Sequence, residues 1–252
     1  MIKTILVTGA TSGFGKAIAE KFARNGDNLI ITARRKELLI NVAKELISTY
    51  NIEVLPLCFD VRKLEEVKNA VESLPDKWKS IDVLVNNAGL AVGLNPIHEG
   101  VIDDWERMID TNVKGLLYMT RLVSPLMVGR KQGHIINIGS IAGKEVYPNG
   151  NVYCGSKFAV DAITKGMRID LVQHNIKVTQ VAPGAADTEF SLVRFKGDQQ
   201  KADSVYIGFT PLTAADVADA VYYVTTLPAH VNVNDLVLMP TAQASSMHFH
   251  KR

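Results

Sequence analysis

Short apolar, β-branched runs alternate with longer amphipathic periods from one end of the chain to the other. This rhythm predicts an α/β fold, a single domain on a doubly wound parallel sheet of about seven strands. Two further observations support it. The apolar runs are mostly continuous rather than alternating, as strands buried on both faces are. The first of them leads through a glycine-rich turn directly into a helical period, the order of a βαβ unit.

The first strand is expected over Lys3–Thr8. A helix over Lys16–Asn25 sets Ala17, Ile18, Phe22 and Ala23 on its inner stripe and stops at Gly26. After a strand at Asn28–Ala33, a helix over Lys36–Tyr50 turns Leu38, Leu39, Val42, Leu46 and Ile47 inward. Strands at Glu53–Phe59 and Ile81–Asn86 flank a helix at Leu64–Ser73. Helices at Val101–Asp110 and Val113–Arg130 lead to a strand at His134–Ile138, a helix at Val152–His174 and a strand at Lys177–Val181. Ala182–Leu212 then reads as irregular, well beyond the roughly two to eight residues usual between elements, and residues 183–212 are expected to form a mobile flap. A helix at Ala214–Thr226, a strand at Asp235–Met239 and a tail at 240–252 complete residues 1–252 as one domain, with no internal repeat.

Composition excludes several classes of function. With 47% hydrophobic and 21% charged residues, the 252-residue chain is neither disordered nor fibrous in character. Lys and Arg number 28 against 26 Asp and Glu, and the longest basic run is Arg34-Arg35-Lys36, so nucleic acid is not an expected partner. No stretch approaches roughly 18 uninterrupted apolar residues, and the N-terminus enters a strand directly, so neither a membrane span nor a secretory signal is expected. Cys58 and Cys154 are far apart and read as reduced, packing-type thiols of a cytoplasmic protein. The histidines at 98, 134, 174, 230, 248 and 250 show no ligand spacing, and no metal is expected. Phe249 interrupts the His248, His250, Lys251, Arg252 end, which reads as a native tail.

The chemistry begins at Thr8-Gly9-Ala10-Thr11-Ser12-Gly13-Phe14-Gly15. Glycines at 9, 13 and 15 suit a tight turn, close approach of backbone to a phosphate, and close packing of helix on strand. The helix N-terminus behind them offers unpaired N–H groups and partial positive charge to a pyrophosphate. A tight strand-to-helix turn needs glycines too, but here the strand before and the helix after supply the context a dinucleotide requires. At the end of the second strand an NAD site would carry an acid for the ribose 2′-hydroxyl, yet the sequence reads Thr32-Ala33-Arg34-Arg35. A small Ala33 and two guanidiniums suit a 2′-phosphate and therefore NADP, although two arginines also suit the start of a solvated helix.

Downstream, Tyr153 and Lys157 are four residues apart in a helical period and share a face. Phenol is a poor base at neutral pH, but an adjacent ammonium and an oxidised nicotinamide both favour the phenolate, which makes Tyr153 a proton carrier. Ser140 follows the strand at His134–Ile138, where open parallel sheets bind ligands, and suits orienting a substrate oxygen. Asn112, in Asp110-Thr111-Asn112-Val113, suits holding a water between the lysine and solvent. Each residue alone is ordinary at a helix or strand end; the combination carries the information.

With these residues in place the chain resembles the short-chain dehydrogenases/reductases, a Rossmann-fold family. The resemblance runs from Thr8-Gly9 through Asp60-Val61, Asn86-Asn87-Ala88-Gly89, Asn112, Ser140, Tyr153-Cys154-Gly155-Ser156-Lys157 and Pro183-Gly184 to Thr188. It implies that Tyr153 is the acid/base, Lys157 the ribose-binding partner, Ser140 the substrate orienter and Asn112 the relay residue. It also implies that Asp60 and Val61 flank the adenine, that Asn87, Ala88 and Gly89 line the adenosine side, and that Pro183, Gly184 and Thr188 contact the nicotinamide half. Leu126-Met127-Val128, the strand ending Asn137-Ile138-Gly139-Ser140, the stretch from Thr188 to Asp198 and Leu227 to Asn234 are similar to the NADP-dependent 3-hydroxy acid dehydrogenases, also described as L-allo-threonine or serine 3-dehydrogenases and as malonic semialdehyde reductases. Two departures are Phe14, where the wider family has isoleucine, and the small, acidic Ala185-Ala186-Asp187. The resemblance implies a homotetramer joined through the helices at Val113–Arg130 and Val152–His174.

The expected function is an NADP-dependent oxidoreductase moving a hydride at the 3-carbon of a small 3-hydroxy acid such as serine, allo-threonine or 3-hydroxypropionate. The competing readings are a ketoreductase for a larger ketone or acyl-thioester, and a non-catalytic NADP-binding regulator, for which Ser140, Tyr153, Lys157 and Asn112 together have no use. A small acid needs a cation or amide donors, and Arg194 on the flap is the candidate; the other reading pairs it with Asp198 or a neighbouring subunit.

Overall fold

The computed structural model describes residues 2–252. Seven strands, β1 (Thr4–Thr8), β2 (Asn28–Ala33), β3 (Val54–Cys58), β4 (Val83–Asn86), β5 (Gly133–Ile138), β6 (Ile176–Pro183) and β7 (Asp235–Leu238), form one sheet in the order β3-β2-β1-β4-β5-β6-β7. All neighbours pair in parallel. The order reverses between β1 and β4, and a crevice opens there beyond the strand C-termini.

Alternation along β1 divides the core. Ile5 and Val7 pack with α1 (Gly13–Arg24), α2 (Lys36–Tyr50) and a late helix, Ala214–Thr226, through Phe22, Leu39 and Val221. Leu6, on the opposite face, packs with α3 (Leu64–Glu72) and two long helices, Leu116–Arg130 and Asn151–Leu171, through Val67, Met119 and Val160. Central strands are therefore covered on both faces, as their continuous apolar character predicts. The edges differ: β3 is half-buried and β7 alternates exposed with half-buried residues, because each lacks a neighbour on one side.

Several boundaries move. α1 starts at Gly13 rather than 16, so the glycine turn is itself the first turn of the helix. Between α4 (Ile102–Ile109) and α5 (Leu116–Arg130), residues Asp110–Gly115 form a π-helical turn rather than the start of an ordinary helix. A Cβ on Gly115 would lie 2.8 Å from Val61 Cγ2, so this turn presses against the adjoining loop. After α6 (Asn151–Leu171) and β6, the stretch expected to be irregular contains two short helices, α7 (Glu189–Arg194) and α8 (Gln199–Ser204), before α9 (Ala214–Thr226). Thr188 Oγ1 accepts from Phe190 N (3.2 Å) and Asp198 Oδ1 from Lys201 N (3.1 Å), capping both N-termini. Cys154 is buried, but Cys58 is exposed on the edge strand and is not a packing thiol.

The tail folds back on the body. Ala185 N donates to Gln243 Oε1 (2.7 Å), Arg252 N to Gly208 O (2.8 Å), and Phe249 packs at a tilt against Phe209 with centroids 5.1 Å apart. Among the described residues no helix is long and apolar enough to cross a membrane, and no three His, Cys, Asp or Glu side chains gather as metal ligands would.

Candidate active site

The crevice at the β1/β4 switch holds a cleft of about 340 Å³. Its floor is the β1–α1 turn. Gly9 and Gly13 sit at positive φ (+70° and +53°), which the turn requires, and a Cβ on Gly15 would fall 2.2 Å from Gly9 O. Thr11, Ser12, Gly13 and Phe14 line the cleft, while Ala10 is fully buried beneath it. Ser12 stands at the α1 N-cap without capping the helix, and the first turn carries no acid, so its N–H groups face the cleft unclaimed. The Ser12 hydroxyl instead accepts from Arg35 Nη2 (3.1 Å), which also donates to Thr11 Oγ1 (3.0 Å).

Arg34 and Arg35 leave the end of β2 with about half of each side chain exposed to the cleft mouth. The nearest acids are engaged. Asp60 accepts from Arg62 Nη2 at 2.6 Å and lies 3.8 Å from Arg34, which holds its carboxyl below the usual carboxylate range against the opposing effect of burial. Glu189, on α7, lies 3.6 Å from Arg35. Val61 and the Asn87, Ala88, Gly89 segment form the adjoining wall. Asn87 Nδ2 donates to Thr8 O (2.8 Å), and Ala88 N donates to Thr8 Oγ1 (2.9 Å), so the β4 loop is tied to the end of β1.

Tyr153 and Lys157 share the inner face of α6, with 8% and 7% exposure, and both reach the cleft. Burial lowers the Lys157 ammonium to about 8. Its Nζ donates to Ile138 O (2.9 Å). The cation over the Tyr153 ring is Arg194, with Cζ 5.1 Å from the centroid. Burial pushes the Tyr153 hydroxyl up, while Arg194 and then the Ser140 hydroxyl pull it down. Ser140 Oγ accepts from Ala142 N (3.1 Å) and stands between β5 and the end of β6 at Pro183.

Asn112 lies in the π-helical turn, 2% exposed. Its Oδ1 accepts from Leu90 N (2.8 Å), and its Nδ2 donates to Leu90 O (2.8 Å) and Ser156 Oγ (3.0 Å). Only one Oδ1 lone pair is left for a water. A Cβ on Gly89 would lie 3.2 Å from that oxygen and 3.7 Å from Lys157 Nζ, so a glycine here keeps the space between them open.

Thr188 caps α7 and closes over Gly13, 3.6 Å from where a Cβ there would sit. Pro183 and Gly184 are not on the cleft wall. Gly184 packs instead on the tail, where a Cβ would meet Gln243 Oε1 at 2.5 Å.

Beside Tyr153 is a second, much smaller cavity of about 10 Å³, walled by Trp105, Met108, Tyr147, Asn151 and Arg194. Arg194 Nη2 donates to Tyr147 Oη (2.8 Å), and its Cζ lies 5.7 Å from the Tyr147 ring and 5.1 Å from that of Phe190. It does not pair with Asp198, which is bound by Lys201 at 3.1 Å. Sequence reasoning missed Tyr147, Phe190 and Thr8 as site residues. Only a tertiary contact distinguishes these two rings from ordinary core aromatics.

The sequence model described as "short chain dehydrogenase" matches residues 3–198. The NADP-dependent 3-hydroxy acid dehydrogenase YdfG of Salmonella typhi is 50% identical over 241 residues, 95% of this chain and 96% of that protein. Sulfoacetaldehyde reductase 2 of Chromohalobacter salexigens is 46% identical over 247 residues, 98% of this chain and 97% of that one. The closed form of a serine dehydrogenase complexed with NADP+ superposes with a TM-score of 0.92 at 47% identity, covering 99% of this chain and 100% of the other. With the glycine turn, the β1/β4 crevice and the Tyr153–Lys157 pair in one cleft, the chain belongs to the short chain dehydrogenase family.

Proposed function

We propose that this enzyme carries out reversible, NADP-dependent oxidation of small 3-hydroxy acids at the 3-carbon, with serine, allo-threonine and 3-hydroxypropionate as the substrate class. The observation that carries this reading is the adjacency of two features. A buried tyrosine at the edge of a dinucleotide cleft is roofed by an arginine that no acid pairs with among the described residues. The cleft fits NADP in its uncapped α1 N-terminus, its two arginines at the end of β2, and the absence there of a free acid for a ribose 2′-hydroxyl.

Bound NADP supplies the hydride acceptor in oxidation and the donor in reduction. In oxidation Tyr153 Oη takes the substrate hydroxyl proton as the phenolate, and returns it in reduction. Ser140 Oγ holds the same substrate oxygen by a hydrogen bond. Lys157 stabilises the phenolate electrostatically and holds the ribose. A water on the free Oδ1 lone pair of Asn112, across Gly89, carries protons onward from Lys157. Arg194 takes the substrate carboxylate with its planar fork.

The short span between Tyr153 and the Arg194 guanidinium, with Cζ 5.1 Å from the ring centroid, favours a small anion over the larger ketone or acyl-thioester of the competing reading. A sulfonate has the same charge and similar reach, and the reductase relative from Chromohalobacter makes sulfoacetaldehyde a fitting member of the test panel. We further propose that residues 1–252 act as one NADP-binding domain in the cytoplasm, with 183–212 as a closing flap and 240–252 packed behind it. Exposed Leu117 and Phe158 on α5 and α6 support a homotetramer joined through those helices.

The test is Tyr153→Phe. The ring still packs on Phe190 (5.6 Å) while the proton is lost, so turnover of 3-hydroxypropionate should fall by about 10²–10⁴-fold with NADPH affinity nearly unchanged. A near-normal kcat in that variant overturns the assignment.

A further inference from the structure

The C-terminal end of α7 is tied to the wall opposite by contacts that the hydride chemistry does not use. Asp104, in the first turn of α4, has a side chain only 5% exposed, and it lines the same small cavity as Arg194. Lys196 Nζ reaches from the flap to 2.7 Å from Asp104 Oδ2. Next to this pair, Gly93 N donates to Arg194 O (3.0 Å). Gly93 is at φ +73°, and a Cβ there would lie 2.9 Å from Asp104 Oδ2, so a side chain at this position would displace the carboxylate. Lys196 is itself at φ +55°, a conformation that residues with a Cβ seldom adopt and that persists where the surroundings fix it.

We propose that Asp104 is a positioning residue for anion recognition. Paired with Lys196 beside the Gly93–Arg194 backbone bond, it fixes the end of α7 so that the Arg194 guanidinium stays over Tyr147 and Tyr153. With Arg107, 3.9 Å away on the same helix, the pairing also neutralises the one carboxylate that lines the cavity, which would otherwise repel an anionic substrate or draw Arg194 to itself. Asp198 pairs with Lys201 (3.1 Å) and, among the described residues, no acid pairs with Arg194, so its charge stays open to a ligand. This inference rests on the reading of Arg194 as the carboxylate-binding group.

The experiment compares Asp104→Asn, Lys196→Met and Arg194→Met in steady state, with 3-hydroxypropionate and an uncharged alcohol of the same size. Asp104→Asn and Lys196→Met should each raise KM for the acid about tenfold, more than they lower kcat, and shrink the acid-to-alcohol ratio of kcat/KM. Since Asp104 also lies 3.9 Å from Arg107, the double variant should match Asp104→Asn, which already removes the contact with Lys196. Trypsin should cut the apo Asp104→Asn protein after Arg194 faster than the parent. If Arg194→Met shrinks the ratio and neither of the others does, Asp104 is not a positioning residue and only this inference falls. Equal losses on acid and alcohol overturn it as well, by pointing to packing. If Arg194→Met leaves the ratio unchanged, the carboxylate reading fails and this inference with it. Should Asp104→Asn fail to fold, Lys196→Met, at a half-exposed side chain, decides the question by itself.

Discussion

Replacing Arg194 by Met removes the guanidinium from above Tyr153 and keeps much of the apolar stem that lies among Tyr147, Tyr153 and Phe190. Two separable effects follow. The first falls on charged substrates alone. A hydrogen bond to a charged group contributes about 1.5–3 kcal/mol, so kcat/KM for a 3-hydroxy acid should fall by roughly 10–100-fold relative to an uncharged alcohol of equal size. The second falls on every substrate. Burial raises the proton affinity of Tyr153, and the Arg194 charge is the foremost influence opposing it, so without that charge the phenol keeps its proton to higher pH. Oxidation needs the phenolate. The ascending limb of kcat/KM against pH should therefore move to the alkaline side for acid and alcohol alike. Initial rates of NADPH formation from about pH 6 to pH 10 measure both effects at once. An unchanged acid-to-alcohol ratio refutes carboxylate binding, and a limb that stays put or moves to the acid side refutes the electrostatic coupling to Tyr153.

Removing both Arg34 and Arg35 as alanines should weaken NADPH by roughly 10–1000-fold and NADH far less, by fluorescence titration, because one or two charge-assisted contacts to a 2′-phosphate are lost. Equal losses for the two cofactors would show that these side chains only hold the Thr11 and Ser12 hydroxyls. His134 sets an acid limit on stability. Burial, with smaller effects from Lys177 and Lys3, lowers its pKa to about 3, so between there and the unfolded value near 6.5 the native state binds fewer protons than the unfolded one. Above about pH 6.5 the imidazole is neutral in both states and costs nothing; below that the unfolded state alone takes the proton, and the stability lost reaches about 2 kcal/mol at pH 5 and grows toward pH 3. His134→Gln should flatten the fall in urea midpoint between pH 7 and 5, and a variant that falls as steeply as the parent refutes this.

The cofactor side was legible because its binding groups are local. One strand, one turn and one helix place the N–H donors, and β2 delivers Arg34 and Arg35 to the same edge by parallel pairing alone. Tyr153 and Lys157 were legible for the same reason, being one helical turn apart. What the sequence left open depends on contacts between distant segments. Helical spacing sets Lys157 beside Tyr153, but it says nothing of the Ile138 carbonyl that accepts from the ammonium, or of Arg194, 41 residues further along than Tyr153, whose charge lies over the ring. Spacing also says nothing of the π-helical turn that spends the Asn112 amide on Leu90 and Ser156.

The stretch after β6 shows where periodicity fails and local chemistry still speaks. Helices of six residues, such as α7 and α8, are too short for an apolar repeat to rise above chance, so the segment reads as a loop. Their caps, Thr188 and Asp198, were nevertheless ordinary helix-start residues in plain view. Recognising α7 changes what the flap is. Its N-terminal end sets Thr188 against Gly13 and Glu189 near Arg35, on the cofactor cleft, and its C-terminal end sets Arg194 against Tyr147. Phe190 lies between, against Tyr153. A loose loop would let these contacts vary independently. A helix fixes their mutual spacing, so any displacement that takes Arg194 off Tyr153 must also disturb Thr188 on the glycine turn.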